Sequence, residues 1–119
     1  MATIDLELGG QRVTAQETGF GLVLRTDRGC ELQVETDYTV QTAASIRSYA
    51  PWERPPSLLG ERVRAATATG SGHLEVAFDS GVVVRVAPDP EFEAWTFVAP
   101  NGRRVVALPE GDLGDWSAD

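Results

Sequence analysis

Apolar and polar residues alternate along most of the chain in short runs rich in Val, Leu, Thr and aromatics. Each run is bounded by glycine, proline or an Asp-x-Gly step, the period-two pattern of half-buried β-strands. The pattern predicts strands at Arg12 to Thr18, Gly21 to Thr26, Cys30 to Thr36, Tyr38 to Thr42 and Ser45 to Tyr49. A second set follows at Arg62 to Thr69, His73 to Phe78, Val82 to Ala87, Ala94 to Val98 and Arg103 to Leu108. No segment carries a long helical period. Between the two sets, Pro51, Pro55 and Pro56 remove backbone donors and deny a central strand. This stretch reads as a connector with at most one helical turn, from Pro56 to Leu59.

The two sets of strands correspond. Gly10, Arg12 and Val13 recur as Gly60, Arg62 and Val63 at an offset of 50 residues, and Thr26-Asp27-Arg28-Gly29 recurs as Phe78-Asp79-Ser80-Gly81 at an offset of 52. Two extra residues around Gly70-Ser71-Gly72 account for the change, because hairpin loops absorb insertions cheaply. In each Asp-x-Gly turn the aspartate caps its own backbone and the glycine supplies the positive φ of a short bulged hairpin. Asn101-Gly102 marks a further hairpin in the second unit; its counterpart near Thr42 to Ser45 is a looser match.

Two β-meanders with one greasy face each cannot remain apart in water. Leu22, Leu24, Leu32 and Val34 are expected to face Leu74, Val76, Phe78, Val84 and Val86 across one core. The expected fold is therefore mainly β: two pseudo-symmetric antiparallel β-meander units forming a sandwich or flattened barrel. The whole chain, 1–119, reads as a single domain, with a first unit at 8–49, a connector at 50–59, a second unit at 60–108 and an acidic tail at 109–119. A half-barrel closed by dimerisation is the alternative, so both monomer and homodimer stay open.

Composition narrows the functional classes. A chain of 119 residues with 42% hydrophobic and 24% charged residues is ordinary globular material that can bury its own core. No apolar run reaches the roughly 18 residues of a spanning helix, and acids stand where a signal peptide would carry bases. A single cysteine, Cys30, fits a buried thiol in a reducing compartment, so a cytoplasmic location is expected. The net charge of −8, from 18 acids against 10 bases, opposes nucleic acid and anionic membranes as partners. It suits either solubility or a basic protein partner. All the bases are arginine, a bias that points to a GC-rich bacterial genome.

Catalytic chemistry finds little to work with. With one histidine and one cysteine, a zinc site lacks ligands and no cofactor is expected. His73, the only histidine, sits at a hairpin mouth, where a surface role is the plain reading. The glycine pairs serve turns and precede no helix that could cradle a phosphate. Pro88-Asp89-Pro90-Glu91-Phe92-Glu93-Ala94-Trp95 is the densest cluster of unusual residues. Asp89, Glu91 and Glu93 would share one side if the segment were extended, yet its prolines favour a solvated crossover whose Phe92 and Trp95 plug the core. Trp52 in the connector and Trp116 in the acidic tail stand where an exposed aromatic could anchor a basic partner.

Taken together, the Gly10 to Val13 strand, the Thr26 to Gly29 hairpin, Leu58-Leu59-Gly60, the Phe78 to Gly81 hairpin and the Pro88 to Trp95 segment resemble a family of small actinobacterial proteins of unknown function. The resemblance spans about residue 8 to residue 108 and weakens from Ala44 to Arg54. It implies the β fold and brings no catalytic residues. The reading that follows is a non-enzymatic protein-binding module of the immunity or antitoxin-like kind, using Asp89, Glu91, Glu93, Trp52 and Trp116 against a basic partner. One alternative is a small-ligand-binding β-barrel or weak enzyme using Asp89 and Glu93; another is a homodimeric scaffold.

Overall fold

The computed structural model describes residues 3–116 and, among them, twelve strands in two antiparallel sheets packed as a sandwich. In chain order these are β1 (Thr3–Asp5), β2 (Val13–Glu17), β3 (Leu22–Thr26), β4 (Glu31–Val34), β5 (Tyr38–Gln41) and β6 (Ile46–Tyr49). There follow β7 (Val63–Thr69), β8 (Leu74–Phe78), β9 (Val83–Val86), β10 (Trp95–Val98), β11 (Arg104–Leu108) and β12 (Asp112–Trp116). One sheet runs β1-β7-β8-β9-β5-β6, here sheet 1; the other runs β12-β11-β10-β4-β3-β2, here sheet 2. All ten strands expected from the alternating pattern are present. The expected core residues lie on the inner faces of the two sheets, in one buried cluster with Trp95, Phe97 and Tyr38. No helix among the described residues is long and apolar enough to cross a membrane.

Corresponding segments of the two halves make matching bonds. Arg12 and Arg62 form an antiparallel bridge, flanked by Val13 N–H donating to Glu61 O at 2.9 Å and Val63 N–H donating to Gln11 O at 2.8 Å. Asp27 N–H donates to Arg12 O and Asp79 N–H to Arg62 O, both at 2.9 Å, and both first hairpins bulge at the same point, before Ala15 and before Ala65. The segment before each half's long first strand crosses to the other half. β1 pairs with β7, while the connector lies beside β2, where Gln16 Oε1 accepts Leu58 N–H at 2.6 Å.

This crossing corrects two local expectations. Pro56 to Leu59 forms no helical turn, because the Gln16 amide bonds Pro56 O and Leu58 N–H and holds the segment alongside β2. The 3₁₀ turn instead spans Pro109–Gly111. The stretch read as an acidic tail continues into β12, which pairs with β11 from Asp112 to Trp116; its last three residues lie outside those described. Arg103 closes this side of the sandwich, donating to Asp5 O of β1 at 2.9 Å and pairing with Asp115 of β12 at 3.2 Å.

Tyr38, 2% exposed, stacks on Tyr49 with ring centroids 5.7 Å apart, and its hydroxyl has no hydrogen-bond partner among the described residues. Burial, then Tyr49 and Glu53, push its phenol up from 10.0 to about 12. The unfolded chain releases this proton near pH 10 and the folded chain retains it to about 12. The stabilisation is therefore complete below pH 10 and is lost as pH rises through that window, by about 2–3 kcal/mol. Denaturant midpoints measured between pH 9 and about 11.5 are expected to fall for the native chain and much less for Tyr38→Phe. Parallel curves for the two proteins would refute the assignment.

Candidate functional site: an acidic end with exposed aromatics

Because the strands alternate in direction, every second loop returns to the same end of the sandwich. The β4–β5 and β9–β10 crossovers meet there: Glu35 N–H donates to Ala94 O at 2.8 Å and Thr36 Oγ1 to Asp89 Oδ2 at 3.3 Å. The β7–β8 loop lies against the β11–β12 turn, and the β2–β3 loop borders a groove shared with Arg54 and Pro55 of the connector.

This end collects the chain's negative charge. It carries Glu35 and Asp37 from the β4–β5 loop, Glu53 from the connector, Asp89, Glu91 and Glu93 from the β9–β10 loop, and Glu110 and Asp112 from the β11–β12 turn. Those eight acids face one arginine, Arg54. None of the eight belongs to an ion pair among the described residues, whereas Glu17, Glu31, Glu75 and Asp115 on the strands are each paired with arginine. At the opposite end Arg12, Arg28, Arg62, Arg103 and Arg104 are balanced by Glu7, Asp27, Glu61, Asp79 and Asp115, the last paired with Arg103. The molecule is thus electrically polar from end to end, with nearly all of its excess charge at one pole.

Within the acidic end, Asp89 is a structural residue. Its Oδ1 accepts Glu91 N–H at 2.8 Å and Phe92 N–H at 3.2 Å, and its Oδ2 accepts the Thr36 hydroxyl. The cap folds the loop back on itself, so Asp89 is half-buried while Glu91 and Glu93 are exposed. No group of three or more His, Cys, Asp or Glu among the described residues could hold a metal ion. The same cap turns Phe92 outward to 66% exposure, which corrects the expectation that it plugs the core. Trp95 alone does so, fully buried, its indole N–H donating to Gly72 O at 2.9 Å.

Of the residues expected to bind, Asp89, Glu91, Glu93 and Trp52 share this end, and Trp52 is 74% exposed. Trp116 lies at the other end, paired with Arg104, with its ring folded over Gly114. Phe20, fully exposed between Gly19 and Gly21 in the β2–β3 loop, adds an aromatic that residue-by-residue reading missed. Summing charge over alternate loops of the meander would have revealed the pole, since loop parity fixes which loops share an end.

Among the described residues, the void between Leu8, Leu24, Cys30, Val76 and Phe97 measures about 10 Å³, too little for a ligand. Of the open grooves outside it, one of about 250 Å³ lies beside Arg28 and Arg103 at the opposite end, and two are larger. One, of about 550 Å³, runs over the outer face of sheet 1, where Glu75 pairs with Arg85 at 3.3 Å between threonines. The other, of about 650 Å³, separates the Phe20 loop from Arg54, Pro55 and Leu59 at the acidic end.

Residues 4–117 match the model of a family of unknown function, DUF6188. No curated protein and no solved structure matches the chain.

Proposed function

Since the chain belongs to DUF6188, a family whose description assigns no function, its role has to be argued from its own surface, and we propose a non-enzymatic module that docks on a basic protein partner through its acidic end. The observation that carries this reading is the concentration of eight acids, none in an ion pair among the described residues, against one arginine at the end that also exposes Phe20, Trp52 and Phe92. Uncompensated charge steers a basic surface into contact, and aromatics supply the desolvated anchors that charge alone lacks. A stable contact needs about 800 Å² per partner, and a molecule of 38 × 30 × 28 Å offers an end of that order. The role this suits is an immunity or antitoxin-like one, blocking a partner by covering it, in a reducing cytoplasm where buried Cys30 stays a thiol.

A weak enzyme or ligand site built on Asp89 and Glu93 is a poorer reading, since both oxygens of Asp89 are already engaged in holding its loop. The binding proposal is tested by capture from native lysate with the wild-type chain and with Glu91→Lys/Phe92→Ala/Glu93→Lys. A stoichiometric basic protein is expected on the wild type, released as salt rises from about 50 to about 500 mM and weakened at least about tenfold by the triple variant. An Arg104→Ala variant, altered at the opposite end, should retain it. Absence of any stoichiometric partner, or a partner indifferent to the triple variant, refutes the reading.

A further inference from the structure

A sheet edge is a row of unpaired backbone donors and acceptors, and natural sandwiches cover, shorten or charge their edges. Three of the four edges here are managed in that way. β2 has the proline connector alongside it, with Gly60 N–H donating to Val13 O at 2.9 Å and the Gln16 amide bonded to Pro56 O and Leu58 N–H. β1 is three residues long, and Asp5 O is capped by Arg103. β12 carries Asp112 and Asp115, which would repel the same strand of another copy. The fourth edge, β6, has no proline, no bulge and one charge, Arg47, whose guanidinium lies over the Tyr49 ring at 5.0 Å, and Ile46, Arg47 and Ser48 are all exposed.

Register decides which groups of β6 are free. Thr42 N–H donates to Ser45 O across the β5–β6 turn, which makes Val40–Arg47 and Tyr38–Tyr49 the hydrogen-bonded pairs of the ladder. Ile46 and Ser48 therefore direct their N–H and C=O groups to solvent. Ile46, 66% exposed, also projects from the outer face of sheet 1, the face opposite Val40 and the core.

We propose that β6 pairs antiparallel with β6 of a second copy about a twofold axis, joining the two copies of sheet 1 into one continuous sheet. The free groups of β6 are self-complementary about a twofold axis, and the charge distribution sets the direction. β6 runs from the balanced end toward the acidic end, so antiparallel pairing sets the acidic end of each copy beside the balanced end of its mate. A parallel arrangement would bring two uncompensated acidic ends together. Centring the axis on Ile46 places the two isoleucines against each other and each Arg47 opposite Ser45 of the mate, which keeps like charges apart. The dimer then presents its two acidic ends in opposite directions.

The test is the mass in solution across about 1 to about 500 μM protein, by sedimentation or light scattering, for the wild type, Ser48→Pro and Ile46→Arg. Proline at Ser48 removes an N–H that the β5–β6 ladder does not use, so the fold is spared while the outer rungs of the intermolecular ladder, from Ser48 to Ala44 O of the mate, are lost. Arginine at Ile46 leaves the backbone intact and opposes two positive charges at the axis. The wild type is expected to move from monomer to dimer with rising concentration, more weakly at high salt. Each variant should shift the midpoint at least about tenfold toward monomer with an unchanged circular dichroism spectrum. A wild type that stays monomeric at the highest concentration overturns the proposal, as does a dimer indifferent to both variants, which would place the contact elsewhere.

Discussion

Replacing Trp95 with alanine is expected to lower the unfolding free energy by about 3–5 kcal/mol, the largest loss at any single side chain of this fold. Trp95 heads the fully buried side chains by volume, and its strand pairs with β4 at the junction where sheet 2 passes from one half of the chain to the other. Its indole N–H reaches Gly72 O in the β7–β8 loop of sheet 1, so one side chain packs the core and ties the two sheets together. Truncation leaves a cavity that neighbouring strands, fixed by their ladders, cannot close. A domain of this size has about 5–15 kcal/mol in all, so the variant gives up a large share of its stability. Trp95→Phe separates the two contributions: it keeps most of the apolar contact and leaves Gly72 O without its donor, for about 1–2 kcal/mol beyond the packing loss. Urea midpoints followed by circular dichroism measure both. A loss below about 1 kcal/mol for alanine would mean that Trp95 is not the keystone described.

The strands were legible because their causes are local. Alternation such as Leu22-Val23-Leu24 or Leu74-Glu75-Val76, closed by Asp27-Arg28-Gly29 or Asp79-Ser80-Gly81, fixes both the strand and its turn within a dozen residues. β1 and β12 escaped for the opposite reason. Thr3–Asp5 is a strand only because β7 offers it an edge, and Asp112–Trp116, rich in residues that strands avoid, is held by β11. The connector's shape is equally non-local, since one glutamine of β2 sets it. At the candidate site the dense loop from Pro88 to Trp95 was found from its composition. Its inner logic was not, because the Asp89 cap that exposes Phe92 depends partly on Thr36, far away in sequence. The polarity of the whole molecule lay between these cases: it follows from strand direction and loop charges, and it appears once loops are grouped by parity.

Gly21→Ala is expected to cost about 2–4 kcal/mol, although Gly21 has no left-handed backbone to justify a glycine. The reason is proximity. A Cβ at this position would lie 2.4 Å from Val34 O and 3.4 Å from Val34 C. Val34 cannot retreat: it is fully buried, it pairs with Leu22 of β3, and its other neighbour is Trp95 of β10. Gly114→Ala is the informative contrast, since its Cβ would also lie 2.4 Å from its nearest atom, but that atom is on the ring of Trp116, which is 52% exposed and free to swing aside. That change should cost no more than about 1 kcal/mol. The difference bears on the acidic end, because the close approach at Gly21 seats the Phe20 loop beside Glu35, and pushing it away would separate an exposed aromatic from the carboxylates. Gly21→Ala should therefore weaken partner capture as well as stability, whereas Gly114→Ala should leave capture intact. Equal stability losses for the two variants would show that the β2–β3 loop yields as readily as an exposed ring, and the acidic end would lose the rigid seat that places Phe20.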